Sequence, residues 1–202
     1  MSTVFDSLMG LFTDLANKIN GIGSLTQVLG LGIVGSLLIP WGAGAVEFPD
    51  GRVAFDLPPY FNDASTPYPT VFYPDPIYYF VLSLSPQAGE PLQRVVIKPL
   101  TNQEAIYFVP ERTQAFGKQP PGRQFSLGAV TVNPDTYDVT INFQPPIPPG
   151  EVVTLALSPN RNPALDGVYQ FGITAFPVGG DQAIGQDIGT ARLTFYRGGD
   201  SR

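Results

Sequence analysis

The chain predicts an all-β fold: an antiparallel β-sandwich of about eight or nine strands, with a β-barrel as the alternative. Three observations carry that expectation. Past Val46, short runs of β-branched and aromatic residues alternate with polar ones at the two-residue period of a strand. Turn residues separate the runs, with 22 prolines and 22 glycines in 202 residues. Aromatic and β-branched residues stay plentiful throughout, so that excess signals turns and not disorder.

Taken in order, Arg52 to Leu57 reads as a first strand. Ile77 to Leu84 is stronger, with Tyr78, Phe80, Leu82 and Leu84 on one face. Leu92 to Lys98 follows the turn Ser85 to Gly89 and sets Val95 and Ile97 against Arg94, Val96 and Lys98. Ala105 to Val109 is a short apolar strand, and Pro110 to Phe116 a turn or single helical turn that proline can begin. Leu127 to Asn133 and Tyr137 to Phe143 predict a hairpin through Asn133-Pro134-Asp135-Thr136. Prolines 145, 146, 148 and 149 lack the ladder donor and predict a stiff connector to Glu151 to Ser158. The polar loop Pro159 to Asp166 leads into Val168 to Phe176, and Thr190 to Tyr196 closes the fold before a frayed end at Gly198 to Arg202.

Residues 1–45 predict an amphipathic leader and signal peptide, and residues 46–202 a single domain of 157 residues. Val4, Leu8, Leu11, Leu15 and Ile19 recur at helical spacing. The apolar run Val28 to Ile39 precedes Ala43-Gly44-Ala45, an A-x-A triplet whose small Ala43 and Ala45 suit a signal peptidase cutting before Val46. The start is not basic: it holds Asp6, Asp14 and only Lys18. An extended signal n-region, a true start at Met9, and a surface-lying or partner helix are the three accounts of it. A retained membrane anchor is the rival to cleavage, since the uncharged stretch Ile19 to Val46 exceeds the roughly twenty residues a span needs. Glycines between Gly21 and Gly35, then Pro40, interrupt that stretch.

The chain has no cysteine and no histidine. That excludes a cysteine nucleophile, a Ser-His-Asp triad, a thiolate or imidazole zinc site and a histidine-ligated haem. Without Asp6, Asp14 and Lys18, 15 acidic residues face ten basic ones scattered singly from Arg52 to Arg202, which argues against nucleic acid as partner. No catalytic residue, metal or cofactor is assigned.

The candidate binding residues are Tyr60, Phe61, Tyr68, Phe72 and Tyr73, in a stretch stiffened by prolines 58, 59, 67, 69, 74 and 76. Rigid aromatic loops suit protein docking or glycan stacking because they bury a large area at low entropic cost. Tyr78 and Phe80, by contrast, read as core. The loop Asn160 to Gly167, and Asp181 with Asp187, offer oxygen ligands for calcium, although the spacing is not that of an EF-hand. Glu104, Glu111, Asp135, Asp138 and Glu151 are carboxylates of the kind a glycosidase uses, but nothing in their spacing selects a pair. Gly179-Gly180 lacks the following Lys-Ser or Lys-Thr of a phosphate loop.

Several segments together carry a family resemblance: Ala88 to Arg94, Arg112 to Phe116, Arg161-Asn162-Pro163, Gly167 to Pro177 and Arg192 to Tyr196. They resemble the exported cyanobacterial proteins of the domain of unknown function 2808 family, over roughly Val46 to Arg197. The acidic leader and the stretch Pro58 to Pro76 depart from that pattern. The resemblance implies export to a periplasm, thylakoid lumen or cell surface, and supplies no activity. The expected function is a non-enzymatic structural or protein-interaction module with a protein or glycan partner. A carbohydrate-binding module using the same rings and a carboxylate-based hydrolase are the alternatives.

Overall fold

The computed structural model describes residues 46–47, 50–100, 103–118 and 122–198. The leader, the apolar run and the Ala43–Ala45 triplet lie outside the described residues, while Val46 opens the first strand. Among the described residues there is no α-helix, and no helix long and apolar enough to cross a membrane.

Twelve strands follow in order. They are β1 (Val46–Glu47), β2 (Val53–Ala54), β3 (Tyr60–Ser65), β4 (Tyr78–Ser83), β5 (Leu92–Pro99) and β6 (Gln114–Gly117). After them come β7 (Gln124–Phe125), β8 (Leu127–Val132), β9 (Val139–Ile147), β10 (Val152–Leu157), β11 (Gly167–Pro177) and β12 (Gln186–Phe195). β1 and β2 pair with each other; the rest form two antiparallel sheets, ordered β3-β4-β10-β6-β7 and β12-β11-β5-β9-β8. The sheets do not close into a barrel, so the sandwich reading holds.

The core lies between the sheets. Tyr78, Phe80 and Leu82 of β4 and Val153, Leu155 and Leu157 of β10 face it from one side. Val95, Ile97, Ile141, Phe143, Phe171, Ile173 and Leu193 face it from the other. Phe80 meets Phe171 edge-on across the layers, with ring centroids 5.8 Å apart, an arrangement that adds to simple area burial. The sandwich is shut along one side where β3 lies against β12, with the Phe61 ring over Gly189, whose φ of +136° is open to glycine. Along the other side the chain crosses between sheets at Ser126, from β7 directly into β8.

The predicted hairpin is β8 and β9: Asn133 Oδ1 accepts from the N–H groups of Asp135 and Thr136, an Asx turn. Pro110–Arg112 forms the predicted helical turn, and a second lies at Gly180–Gln182. Four expectations need correction. The strand count rises to twelve because the short β1, β6 and β7 carry too few residues to show a period. Arg52–Leu57 shrinks to β2, and Ala105–Val109 keeps only a bridge from Phe108 to Pro159. The proline-aromatic stretch holds a strand, β3, an edge position where its flanking prolines cost no ladder bonds. Finally, β9 runs through Pro145 and Pro146 to Ile147, because the β5 register shifts between Leu92 and Arg94 and leaves the prolines in the irregularity. Gln93 Nε2 donates there to the Phe143 carbonyl.

Burial assigns different weights to the two faces of β11. Phe171→Ala is expected to cost about 3–5 kcal/mol. Val168→Ala, on the outer face of the same strand, should shift stability by less than about 0.5 kcal/mol. Denaturant unfolding of the two variants checks the contrast.

Candidate functional site

One end of the sandwich is covered by a strap, residues 66–76, laid over the loop 159–167 and the end of β12. Backbone hydrogen bonds fasten it: Val71 N–H to Tyr196 O, Phe72 N–H to Pro163 O, Asp75 N–H to Asn160 O and, in return, Asn162 N–H to Tyr73 O and Tyr196 N–H to Pro69 O. The prolines suit this role. Each fixes its own φ while the residues between them supply the donors, and the strap turns at Val71–Phe72, where Tyr73 N–H donates back to Thr70 O.

Asn162 pins the assembly from inside. Its side chain is fully buried. Nδ2 donates to the carbonyls of Tyr68 at 2.5 Å and Thr70 at 2.7 Å, while Oδ1 accepts from the Tyr78 hydroxyl at 2.8 Å. Strap, loop and core strand β4 therefore share one amide. Burial pushes the Tyr78 phenol well above its ordinary range, and the nearby Tyr169 adds to that. The calcium reading of this loop loses its central ligand, since the Asn162 oxygen is committed to Tyr78. Asp166 is paired with Arg197, and Asp187 accepts from Gly189 N–H.

Above this anchor the strap carries its rings. Tyr68 and Tyr73 stack on each other, with centroids 4.4 Å apart and planes 6° from parallel. Phe72 is 57 % exposed and sits at φ +57°, in the left-handed region that a bulky residue rarely adopts. The Arg161 guanidinium lies 5.9 Å from its ring centre. Asp75, also left-handed at φ +46°, pairs with Arg112. Beside the strap, Glu104, Tyr107, Asn160, Arg161 and Pro163 line a cavity of about 200 Å³. Glu104 accepts from the N–H groups of Ala164 and Leu165. Tyr107 is 57 % exposed and is held edge-on to Tyr137, whose phenol its hydrogen bond pushes up.

The structure divides the sequence-predicted residues. Tyr68, Phe72 and Tyr73 come together in the strap. Tyr60 is exposed but opposite Ser83, at the other end of β3, about 15 Å away by strand rise. Phe61 is half-buried against the core. The sequence offers Arg161 and Leu165 only within the loop considered for calcium and does not single out Tyr107 or Tyr196 as a site; all four join the strap from distant segments. Among the described residues, Tyr68, Phe72, Tyr107, Leu165 and Tyr196 are five of eight exposed large apolar side chains, and all five lie at this end. The carboxylates do not converge: Glu151 pairs with Arg123 at the opposite end of the sandwich, away from Glu104 and Asp138.

Removing the pin should loosen the strap. Asn162→Ala strands the Tyr78 hydroxyl and two strap carbonyls, and is expected to cost about 2–4 kcal/mol in chemical denaturation. Alkaline pH tests the same contact. The unfolded phenol ionises near pH 10 and the folded Tyr78 phenol does so only at higher pH, so stability present below pH 10 falls as pH rises above it. Tyr78→Phe should flatten that alkaline slope.

No curated protein matches the chain. Among solved structures, it is similar to a DUF4466 family protein from Parabacteroides merdae at 14% identity and TM-score 0.42, over 68% of this chain and 44% of that one. It is also similar to the N-terminal domain of the Streptococcus gordonii adhesin Sgo0707 at 11% identity and TM-score 0.46, over 71% and 34%. The collagen-binding domain of a Staphylococcus aureus adhesin aligns at 7% identity and TM-score 0.38, over 68% and 97%. The chain spans less than half the length of the first two. A model of the protein of unknown function family DUF2808 matches residues 52–195, which include the proline-aromatic strap, and the chain belongs to that family.

Proposed function

We propose that the protein is an exported, non-catalytic interaction module that docks a partner protein through its aromatic end. The observation that carries this is Phe72: a bulky residue held in left-handed backbone with its ring turned to solvent. Such a conformation costs about 1–3 kcal/mol and persists where surrounding contacts impose it, most often at sites of recognition. Here the Phe72 N–H bond to Pro163 O and the Asn162 pin impose it. In the free chain just over half of Phe72 is exposed, beside the Arg161 guanidinium. Burying that remainder in a partner would contribute about 1–2 kcal/mol.

Direction supports the same reading. Val53 bridges to Ala183, so the chain enters the sandwich at the end away from the strap. The setting is a cyanobacterial periplasm, thylakoid lumen or cell surface, as the family resemblance implies. The cavity beside Tyr107 favours a second reading, a glycan unit stacked on that ring and hydrogen-bonded by Asn160 and Arg161.

The experiment is photo-cross-linking in the native envelope, with a photoreactive phenylalanine at position 72 or at position 60. Protein adducts are expected from 72 and not from 60. Equal labelling from both positions, or glycan adducts alone, defeats the protein-docking reading. Stability and docking should also separate. Phe72→Gly relieves the left-handed backbone and is expected to raise stability by about 1 kcal/mol while abolishing the adducts' parent complex. Tyr60→Ala should change neither.

A further inference from the structure

The strand domain offers an oxidant few targets. From Val46 to Arg202 the chain has no cysteine, methionine, tryptophan or histidine; Met1, Met9 and Trp41 all precede that stretch. Cysteine and methionine are the side chains that usually intercept oxidising equivalents. In their absence the tyrosines yield an electron most readily, and all nine lie between Tyr60 and Tyr196.

Among the described residues, two tyrosine pairs bring their rings together. Tyr107 and Tyr137 meet edge-on, with planes 74° apart and hydroxyl oxygens 3.3 Å apart. Tyr68 and Tyr73 stack, with planes 6° from parallel and centroids 4.4 Å apart. The difference decides the chemistry. A phenol that has lost an electron and a proton carries unpaired spin on its oxygen and on its ortho carbons, in lobes above and below the ring. Stacked rings aim those lobes at each other, and edge-on rings do not.

The backbone holds the stack in place. Asn162 donates through Nδ2 to the Tyr68 carbonyl and through its own N–H to the Tyr73 carbonyl. Tyr73 N–H donates back to Thr70 O. One buried residue thus fixes both tyrosines before any oxidant arrives, and the meeting of two radicals becomes a step within one aligned pair. Tyr68 is exposed and Tyr73 half-buried, so the pair is open to solvent.

We propose that Tyr68 and Tyr73 are a dityrosine modification site, joined ortho carbon to ortho carbon by hydrogen peroxide acting through a haem peroxidase. Each phenol gives up one electron and its hydroxyl proton. The two radicals pair their electrons in one new carbon–carbon bond. The hydrogen on each bonded carbon then moves, through water, to its own ring's oxygen and restores both phenols. The two electrons and two protons released reduce one hydrogen peroxide to two waters. The bond closes the strap turn around Val71 and Phe72, and like a disulfide it removes freedom chiefly from the opened chain. It forms whether or not Phe72 meets a partner.

The test treats the full chain, folded and dilute, with a haem peroxidase and hydrogen peroxide, and isolates the monomer. That monomer is expected to gain dityrosine fluorescence and to weigh less by two hydrogen atoms. Tyr68→Phe and Tyr73→Phe keep a ring in each place and remove one phenol. Each is expected to lower the fluorescence at least about tenfold, since the remaining tyrosines lack the alignment that makes coupling fast. Tyr107→Phe should leave it unchanged. In urea the unaltered chain should lose most of the yield, because the two residues are then close in sequence but no longer stacked. A monomer that takes up oxygen, or joins other chains, without internal dityrosine overturns the proposal. So does fluorescence that survives Tyr68→Phe, that vanishes with Tyr107→Phe, or that is as strong in urea as in the folded chain.

Discussion

One buried amide holds the strap end of this protein together. Asn162 has no exposed surface, and each of its polar atoms has a protein partner on a different segment. A buried polar group without partners costs more than a hydrogen bond returns, so Asn162 stabilises only the arrangement in which strap, loop and β4 coincide. The amide thereby specifies a geometry. A hydrophobic residue of similar volume could fill the site, but it could not dictate where the Tyr68 and Thr70 carbonyls sit. The rings above are placed by that choice: Tyr68 and Tyr73 are locked face to face, and Phe72, between them in sequence, turns outward beside the Arg161 guanidinium.

The fold was legible wherever the physics is local. Alternation in Tyr78, Phe80 and Leu82 gave the buried face of β4, and the Asn133-Pro134-Asp135-Thr136 turn gave the hairpin, because both depend on residues within a few positions of each other. The site was half legible for the converse reason. Tyr68, Phe72 and Tyr73 are neighbours in the chain and were visible as a cluster. Tyr107, Arg161, Leu165 and Tyr196 reach them only through strand order and register, which join segments from 107 to 196 at one end of two sheets. Tyr60 shows the opposite failure. Proximity in sequence placed it with the cluster, and the run of β3 carried it to the far end. Asn162 itself looked like a loop residue with an oxygen to offer a metal. Nothing in the string reveals that a tyrosine hydroxyl from position 78 takes that oxygen.

The proline-rich segments show how composition and placement interact. Proline removes a donor, and the expectation was exclusion from ladders. The structure instead puts Pro145 and Pro146 in an irregularity of β9, where the opposing strand asks for no donor, and satisfies the nearby Phe143 carbonyl with the Gln93 side chain. In the strap, prolines alternate with residues whose N–H groups bind the loop and β12. The rule about donors was right in both places; what the sequence could not show was which backbone positions lacked a need for one.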